Sequence, residues 1–343
     1  MIKLLNTLYV LSEDAYLSLD NENVVVTKSG VEAGRFPLHT LNAIEYFGYK
    51  GASPSLIGEC AARGIDLGFF TPHGRFLART VGEERGNVLL RQEQYRISDD
   101  EDRSLTIAQN MIAAKVFNAR WVIERAIRDH PLQVNADDMR KCSRELADYS
   151  RNARTANSME ELRGIEGLAA RCYFQRFGSL IFVSDKAMGF GGRSRRPPLD
   201  APNAMLSFAY SLLTADCASA LEGVGLDPYI GLMHAERPGR KSLALDLVEE
   251  LRAPFADRIV LTCINNRIVG SGGFEHRQDG SYFFSDNGRR KFLDAWQKKK
   301  REVIRHPFLD VKVAWGLVPH VQAMLLARFI RGDIEGYPPF MWK

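Results

Sequence analysis

Residues 162–174 read LRGIEGLAARCYF and predict an α-helix that carries an acid on its apolar side. With 3.6 residues per turn, four residues share one face. They are Leu162, Glu166, Ala169 and Tyr173. Ser158, with Glu161 three residues later, forms an S-x-x-E capping box that starts the helix. Because a desolvated carboxylate is unstable without a partner, Glu166 requires a cation, a hydrogen-bond donor or a metal ion.

The length and charge of the chain limit its fold and its partners. Its 343 residues are enough for two domains, each with a core. With 46 basic and 42 acidic side chains, the formal net charge is only +4. The protein is therefore not a general polycation, and any binding of nucleic acid must depend on local basic patches.

The cysteines and the apolar segments indicate a cytoplasmic protein. The five cysteines are widely spaced and include no C-x-x-C pair, which argues against a disulfide framework or a thiolate zinc site. The first residues show no signal-peptide pattern, and no run of roughly 18 apolar residues suggests a membrane span. We therefore expect cytoplasmic localisation and no membrane partner.

Residues 1–85 are predicted to form a β-sandwich. Short apolar runs alternate with turns, and the turn at residues 20–23 joins the two arms of a hairpin. One helix is predicted after Ser53, with Pro54 at a first-turn position. The predicted strands cover residues 4–10, 15–19, 24–26, 34–36, 41–47 and 66–70.

Residues 86–343 are predicted to form a larger all-α domain, which makes the fold class α+β with two domains. The apolar spacing changes from alternation to a helical period between residues 80 and 100. A hairpin-like, glycine-rich segment at residues 269–284 interrupts the helices. The predicted helices cover residues 87–97, 104–130, 137–152, 159–181, 203–221, 242–252 and 318–331, with a further basic helix within residues 289–305.

A histidine and an acidic pair add candidate ligands to Glu166. His234 lies in a predicted loop, and Asp246 and Glu249 project from one face of a helix that Ser242 is predicted to cap. Taken singly, the histidine could be an ordinary hydrogen-bonded residue and the acids a solvated helix face. A glutamate, a histidine and one other carboxylate, with water, suit Mg²⁺ or Mn²⁺.

Two basic segments could hold phosphates. The first is the glycine-rich loop at residues 189–198, with Arg193, Arg195 and Arg196. Arginine forks match phosphate oxygens. The second, residues 289–305, has eight basic residues against two acids. Each could also be a solvated surface, but this concentration in a nearly neutral chain favours nucleic acid. The predicted DNA contacts of the second segment are Arg289, Arg290, Lys298, Lys299 and Arg301.

Four stretches, in this order and spacing, resemble the motifs of the CRISPR-associated integrase/endonuclease family, the spacer-acquisition proteins of prokaryotic adaptive immunity. They are KVFN at 115–118; GIEG at 164–167 with AR at 170–171 and YF at 173–174; RPP at 196–198 with NAMLS at 203–207 and Tyr210; and His234 followed by SLALDLVEELR at 242–252. The resemblance covers both predicted domains, although the N-terminal one matches by pattern more than by motif.

The resemblance implies an N-terminal dimerisation sandwich and a helical catalytic domain. It places metal ligands at Glu166, His234 and Glu249, and a further acid at Asp246 that acts through water or orients a ligand. The implied reaction is metal-dependent transesterification, in which the 3′-hydroxyl of a short double-stranded DNA attacks a phosphodiester at the end of a CRISPR repeat. The implied partners are that DNA, a second copy of the chain, and a small ferredoxin-like CRISPR-associated protein in a heterohexamer.

Two alternatives remain open from the sequence. A metal-dependent endonuclease that only hydrolyses branched or double-stranded DNA would use the same site residues. A non-catalytic DNA-binding scaffold would instead satisfy Glu166 with an arginine. Neither alternative is separated from the integrase by composition or spacing.

Overall fold

The N-terminal part consists of two sheets and one helix. The computed structural model describes residues 6–72, 76–82 and 88–343. A mixed sheet has the strand order β1-β5-β6-β7, and an antiparallel sheet has the order β2-β3-β4. The elements are β1 (Thr7–Val10), β2 (Ala15–Asp20), β3 (Asn23–Lys28), β4 (Val31–Pro37), β5 (Ala43–Phe47), α1 (Pro54–Arg63), β6 (Asp66–Phe70) and β7 (Phe76–Arg79).

The β-sandwich prediction is confirmed. The six predicted strands are present, although the start of the first, before residue 6, lies outside the described residues. In the turn between β2 and β3, Asn21 has a φ of 53°, a left-handed conformation that asparagine tolerates. The short strand β7 was not predicted. It pairs with β6 through a bulged register.

The C-terminal part is largely helical, as predicted. Its helices are α2 (Val88–Asp99), α3 (Glu101–Asp129), α4 (Ala136–Ala153), α5 (Met159–Phe177), α6 (Ala201–Gly223), α7 (Ser242–Leu251), α8 (Arg258–Asn265), α9 (Asp286–Arg301) and α10 (Val318–Ile330).

Two small antiparallel sheets correct the all-α description of this part. The first, β8 (Phe274–His276) with β9 (Tyr282–Phe284), lies in the predicted hairpin segment. The second, β10 (Val303–Arg305) with β11 (Lys312–Ala314), was not predicted. The basic helix α9 therefore ends at Arg301, and the last basic residue of the predicted stretch belongs to a strand.

Helix α5 begins where its capping residues predict. The Ser158 hydroxyl accepts a hydrogen bond from the Glu161 backbone N–H at 3.1 Å. The Glu161 carboxylate accepts from the backbone N–H of Asn157 at 2.6 Å, one residue earlier than a standard capping box. The helix ends at Phe177, four residues before the predicted end, because Gly178–Leu180 tighten into a 3₁₀ turn.

Helix α6 is the central helix of the C-terminal part. It is long and apolar enough to cross a membrane by length and composition, but 67% of its apolar window is buried inside the protein. It packs against α7 and α10. This burial is typical of the core helix of a globular protein.

The sandwich and the helices share part of their packing. Phe47 of β5 stacks on Phe70 of β6 at a ring-centroid distance of 5.0 Å, and lies 6.0 Å from Phe208 of α6. The sandwich also has its own core around Leu17, Ile44 and other buried residues. The boundary predicted between residues 85 and 86 lies outside the described residues, and the division there stays a prediction.

Candidate active site

Lys115 joins the two predicted acidic ligands. Its ammonium, on α3, pairs with Glu166 on α5 and lies 2.7 Å from Oε2 of Glu249 on α7. The exposed fractions of these side chains are 14% for Lys115, 29% for Glu166 and 3% for Glu249. Glu166 is therefore half-buried, and its partner in this structure is a lysine.

The sequence around Lys115 indicates a charge that needs a partner. Met111, Ile112 and Ala119 lie three or four residues from Lys115 on α3, and all three are buried. A lysine on an apolar helix face needs an anion for the same reason that Glu166 needs a cation. The two unusual charges satisfy each other.

Glu249 is held in its ionised form. Burial by itself raises the pKa of Glu249, but Arg252 and Lys115 beside it lower that pKa to about 2. The Arg252 guanidinium lies 3.1 Å from Oε1 of Glu249 and 4.9 Å from the ring centroid of Tyr210. The carboxylate is thus a permanent negative charge at neutral pH.

Asp246 is a positioning residue for His234. It is fully buried, and its oxygens accept backbone hydrogen bonds from Leu232 (2.7 Å), Met233 (3.1 Å) and His234 (3.1 Å). Its Oδ1 also lies 2.6 Å from Nδ1 of His234. These contacts occupy both oxygens, which favours an orienting role for Asp246 over a direct role in the reaction. The other ring nitrogen of His234 lies 4.0 Å from Oε1 of Glu249.

The loop that carries His234 is closed by tight packing. Ser242 was predicted to cap α7, but the helix starts at that residue and Lys241 occupies the cap position without a side-chain bond. The Ser242 hydroxyl donates instead to the carbonyl of Ala235 at 3.2 Å. At Gly231 a Cβ would lie 2.5 Å from the His234 carbonyl oxygen, so only glycine fits there.

The chemistry of the donor set suits a hard divalent cation. Two carboxylates and one imidazole are oxygen and nitrogen ligands of the type that Mg²⁺ and Mn²⁺ accept. Oε2 of Glu249 is buried, and the Lys115 ammonium lies 2.7 Å from it. In the present arrangement, however, no three His, Cys, Asp or Glu side chains among the described residues are close enough to share a metal. Lys115 supplies the positive charge between the acids.

A small cavity adjoins Glu166. Its volume is about 40 Å³, and its lining includes Lys115, Glu166, Arg195, Tyr210 and Arg252. One wall is therefore basic and reaches the arginine loop. On the outer surface of α5, a Cβ at Gly164 or Gly167 would meet no atom within 4 Å, which leaves that surface open.

The wall of this cavity includes a buried acid, Asp257, that the sequence pattern did not predict. Asp257 accepts hydrogen bonds from the hydroxyls of Tyr210 at 2.6 Å and Tyr173 at 3.0 Å. Burial raises the pKa of Asp257 to about 6, although both tyrosines and Arg252 oppose the shift. The group fixes the tyrosines that form the cavity wall.

Arg193 is partly buried, unlike the exposed Arg195 and Arg196 of the same loop. Its guanidinium donates to the side-chain oxygen of Asn203 at 2.7 Å and to the Ser207 hydroxyl at 3.4 Å, and burial lowers its pKa. Its prediction as a DNA contact is therefore corrected, since the side chain anchors the loop to α6. Arg195 and Arg196 are exposed.

Helix α9 also divides its basic residues between core and surface. Arg289 is only 1% exposed and pairs with Asp286 at 2.7 Å, so its prediction as a DNA contact is wrong. Lys300 is buried against Asp216 at 2.8 Å. Lys299 is half-buried. The exposed basic residues of the helix are Arg290, Lys291, Lys298 and Arg301.

Known proteins resemble this chain over its whole length. Residues 8–298 match the family described as CRISPR associated protein Cas1. A protein of Chlorobaculum tepidum, named CRISPR-associated endonuclease Cas1 1, is 46% identical over 343 residues, which cover all of both chains.

Solved structures share the fold. A casposase bound to integration product has a TM-score of 0.85 at 21% identity, over 99% of this chain and 95% of that chain. A structure described as a Cas6-RT-Cas1–Cas2 complex contains a chain with a TM-score of 0.80 at 20% identity, over all of this chain and 36% of that chain. At these identities the two structures support the fold.

Proposed function

Because this chain belongs to the family of CRISPR-associated Cas1 proteins, we propose that it is a metal-dependent integrase that inserts short double-stranded DNA into a CRISPR array. Membership of a family of endonucleases makes it a nuclease- or integrase-type enzyme. The proposal goes beyond family membership in three points: the divalent metal ion, the transesterification and the spacer substrate.

The two ion pairs of Lys115 with Glu166 and Glu249, together with the 4.0 Å distance from Nε2 of His234 to Oε1 of Glu249, carry the proposal. Glu166, His234 and Glu249 come from three separate segments and would hold Mg²⁺ or Mn²⁺. The bound ion would lower the pKa of the attacking hydroxyl and offset charge at phosphorus. Because the ionised Glu249 keeps its charge through the neutral range, it is prepared to bind a cation without first losing a proton.

His234 is oriented to bind a cation through one ring nitrogen. Asp246 accepts at Nδ1, which keeps the proton on that nitrogen and leaves the Nε2 lone pair 4.0 Å from Oε1 of Glu249. We propose that Nε2 would hold the metal ion and that water takes the proton from the 3′-hydroxyl of the incoming DNA. One P–O bond forms, one breaks, and the leaving 3′-oxygen takes up a proton, so no ATP is consumed.

The exposed arginines and lysines would hold the DNA backbone. Arg195 and Arg196 lie on the loop beside the cavity, and Arg290, Lys298 and Arg301 lie on α9. Such contacts with phosphates give affinity and salt dependence but little choice of sequence. Reversing the charge of Lys298 and Arg301 should therefore weaken DNA binding and flatten its salt dependence, whereas an unchanged slope would make this helix a solvated surface.

The expected partners follow from the family and from the related structures. We propose a homodimer through the N-terminal sandwich, and a heterohexamer with the small ferredoxin-like CRISPR-associated protein. The chain with the same fold in the Cas6-RT-Cas1–Cas2 complex supports association with another CRISPR-associated protein. The site of action would be the cytoplasm, where the array lies.

The decisive experiment is a joining assay with a pre-spacer duplex and a supercoiled repeat plasmid, with and without Mn²⁺ and the partner protein. Glu166→Ala and His234→Ala should abolish joining and leave DNA binding nearly intact. Glu160→Ala is the matched control, since it removes an exposed acid from the same helix. Full joining in EDTA, or in either site variant, would overturn the metal mechanism.

Two other outcomes would redirect the proposal. Cleavage of branched or double-stranded DNA without joining would make the protein a hydrolytic endonuclease. The ion pair between Glu166 and Lys115 specifically favours a third possibility, a DNA-binding scaffold in which Glu166 has only a structural role. In that case Glu166→Ala would lower stability, and neither the variant nor the native protein would join DNA.

A further inference from the structure

Several basic side chains surround a second small cavity near the end of α3. None of the residues that line it is among the metal ligands or DNA contacts proposed above. The cavity has a volume of about 40 Å³ and lies between α3, α8 and the last residues of the chain. Its charged and aromatic lining is Trp121, Arg125, Arg128, Arg258, Trp342 and Lys343.

The two indole rings hold cations in place. The guanidinium carbon of Arg258 lies 4.7 Å from the ring centroid of Trp342. Arg120 and Lys343 lie 5.5 Å and 5.6 Å from the ring of Trp121. With cations on their surfaces, the rings are poorly placed to stack on bases, and they orient positive charge instead. The Trp121 indole N–H is also buried without an acceptor among the described residues.

The positive charge of the cluster exceeds the negative charge beside it, which comes from Glu124, Asp129 and Glu302. Arg125 and Arg128 share one acid, Asp129, at 3.1 Å and 2.8 Å. Arg258 and Lys343 form no ion pair within the described part of the chain. Burial and then the nearby Arg125 lower the pKa of Arg258 to about 10, which shows the cost of holding these charges together. An anion bound at the cavity would offset the unpaired positive charge and the repulsion between Arg125 and Arg258.

We propose that this cluster binds a phosphate of the DNA backbone, at a point remote from the reacting end. One water needs roughly 10–15 Å³ of such space, so the cavity admits a group the size of a few waters, such as a phosphate, and not a base. Arg125 follows Lys115 by ten residues on α3, which places the cluster about 15 Å along the helix from the acids. That distance is about four nucleotide steps of B-DNA.

The identity of the ligand rests on the proposed function, and the arginine-rich surroundings favour nucleic acid over an acidic protein segment. Guanidinium forks bind phosphate oxygens in pairs. A phosphate contact needs only these charged groups and no apolar surface beside them. The acidic protein segment is the outcome that the experiment must exclude.

The experiment measures binding of a short fluorescent DNA duplex to the full chain in EDTA over a range of salt concentrations. Arg258→Gln and Arg125→Gln should each weaken binding about fivefold at roughly 0.15 M salt, and each should reduce the salt slope by about one. Arg331→Gln is the matched control, because it removes an arginine that is paired with Asp333 and lies at the end of α10. It should change neither quantity.

Unchanged affinity and slope in both variants would overturn the proposal. Weaker binding of the small CRISPR-associated protein with unchanged DNA affinity would assign the surface to a protein partner, which also overturns it. If Arg258→Gln fails to fold, Arg125→Gln decides alone, since its side chain is half exposed. Binding in EDTA does not depend on joining, so this proposal and the integrase proposal can fail separately.

Discussion

Replacing Lys115 by methionine tests whether the lysine ammonium occupies the position between Glu166 and Glu249 where the divalent ion would bind. The change removes the ammonium and keeps an unbranched side chain of similar size. It leaves Glu249, only 3% exposed, with Arg252 as its remaining cationic neighbour at 3.1 Å. Breaking a buried ion pair costs about 3–5 kcal/mol. Because Arg252 remains and Glu166 can hydrate, we expect the lower value, about 3 kcal/mol.

The loss of stability converts into a measurable shift in melting temperature. With an unfolding entropy of about 2.1 cal/mol/K per residue, a chain of this length should melt about 4 °C lower in EDTA. The affinity for Mn²⁺, measured by calorimetry or by electron paramagnetic resonance, should change in the opposite direction. We expect at least a tenfold gain, about 1.4 kcal/mol, because the ion no longer competes with the ammonium. Saturating Mn²⁺ should then restore the melting temperature.

The matched control for Lys115→Met is a second lysine-to-methionine change at the surface. Lys141→Met removes an exposed lysine from α4 and should alter neither quantity. Unchanged or weaker Mn²⁺ binding in Lys115→Met would refute the view that Lys115 competes with the ion. An unchanged melting temperature in EDTA would show that the ion pairs contribute nothing to stability.

Three other substitutions test the surroundings of the site. Asp246→Asn should weaken Mn²⁺ binding about 10–100-fold by calorimetry, with little loss of helix signal, because it removes the charge that orients His234. Glu250→Ala should release the C-terminal tail to proteolysis and cost about 3 kcal/mol in urea unfolding, because the carboxylate accepts from the Tyr337 hydroxyl and from two further donors. Burial raises the pKa of Asp257 from 3.8 to about 6, so the folded protein binds that proton more tightly than the unfolded chain, and stability from this group falls as the pH rises through that window. Asp257→Asn should therefore flatten the unfolding free energy measured between those pH values, and a profile identical to that of the native protein would contradict this.

The sequence predicted long elements better than short ones. The periodic apolar spacing of α3 and α4 spans several turns and is legible without any tertiary information. Strands β7, β10 and β11 are three or four residues long, too short for alternation to stand out. They exist because a neighbouring strand supplies their hydrogen bonds, and a single segment does not encode that pairing.

The basic patches show a second limit of the sequence. Counting charges at residues 289–305 treats every lysine and arginine as equally available. In the structure Arg289 is buried, Lys300 is paired with Asp216, and Arg193 supports its own loop. Only the direction of each side chain separates surface charges from charges that stabilise the core.

The sequence by itself determined the helix around Glu166, its start at Ser158, and the need of that acid for a positive partner. Helix formation depends on contacts within four residues, so the chain encodes it locally. Only the tertiary structure decided that the partner is Lys115, which is 51 residues away, and that Asp246 serves His234. Such pairings depend on how α3, α5 and α7 pack together, and desolvation makes them strong only once the packing is complete.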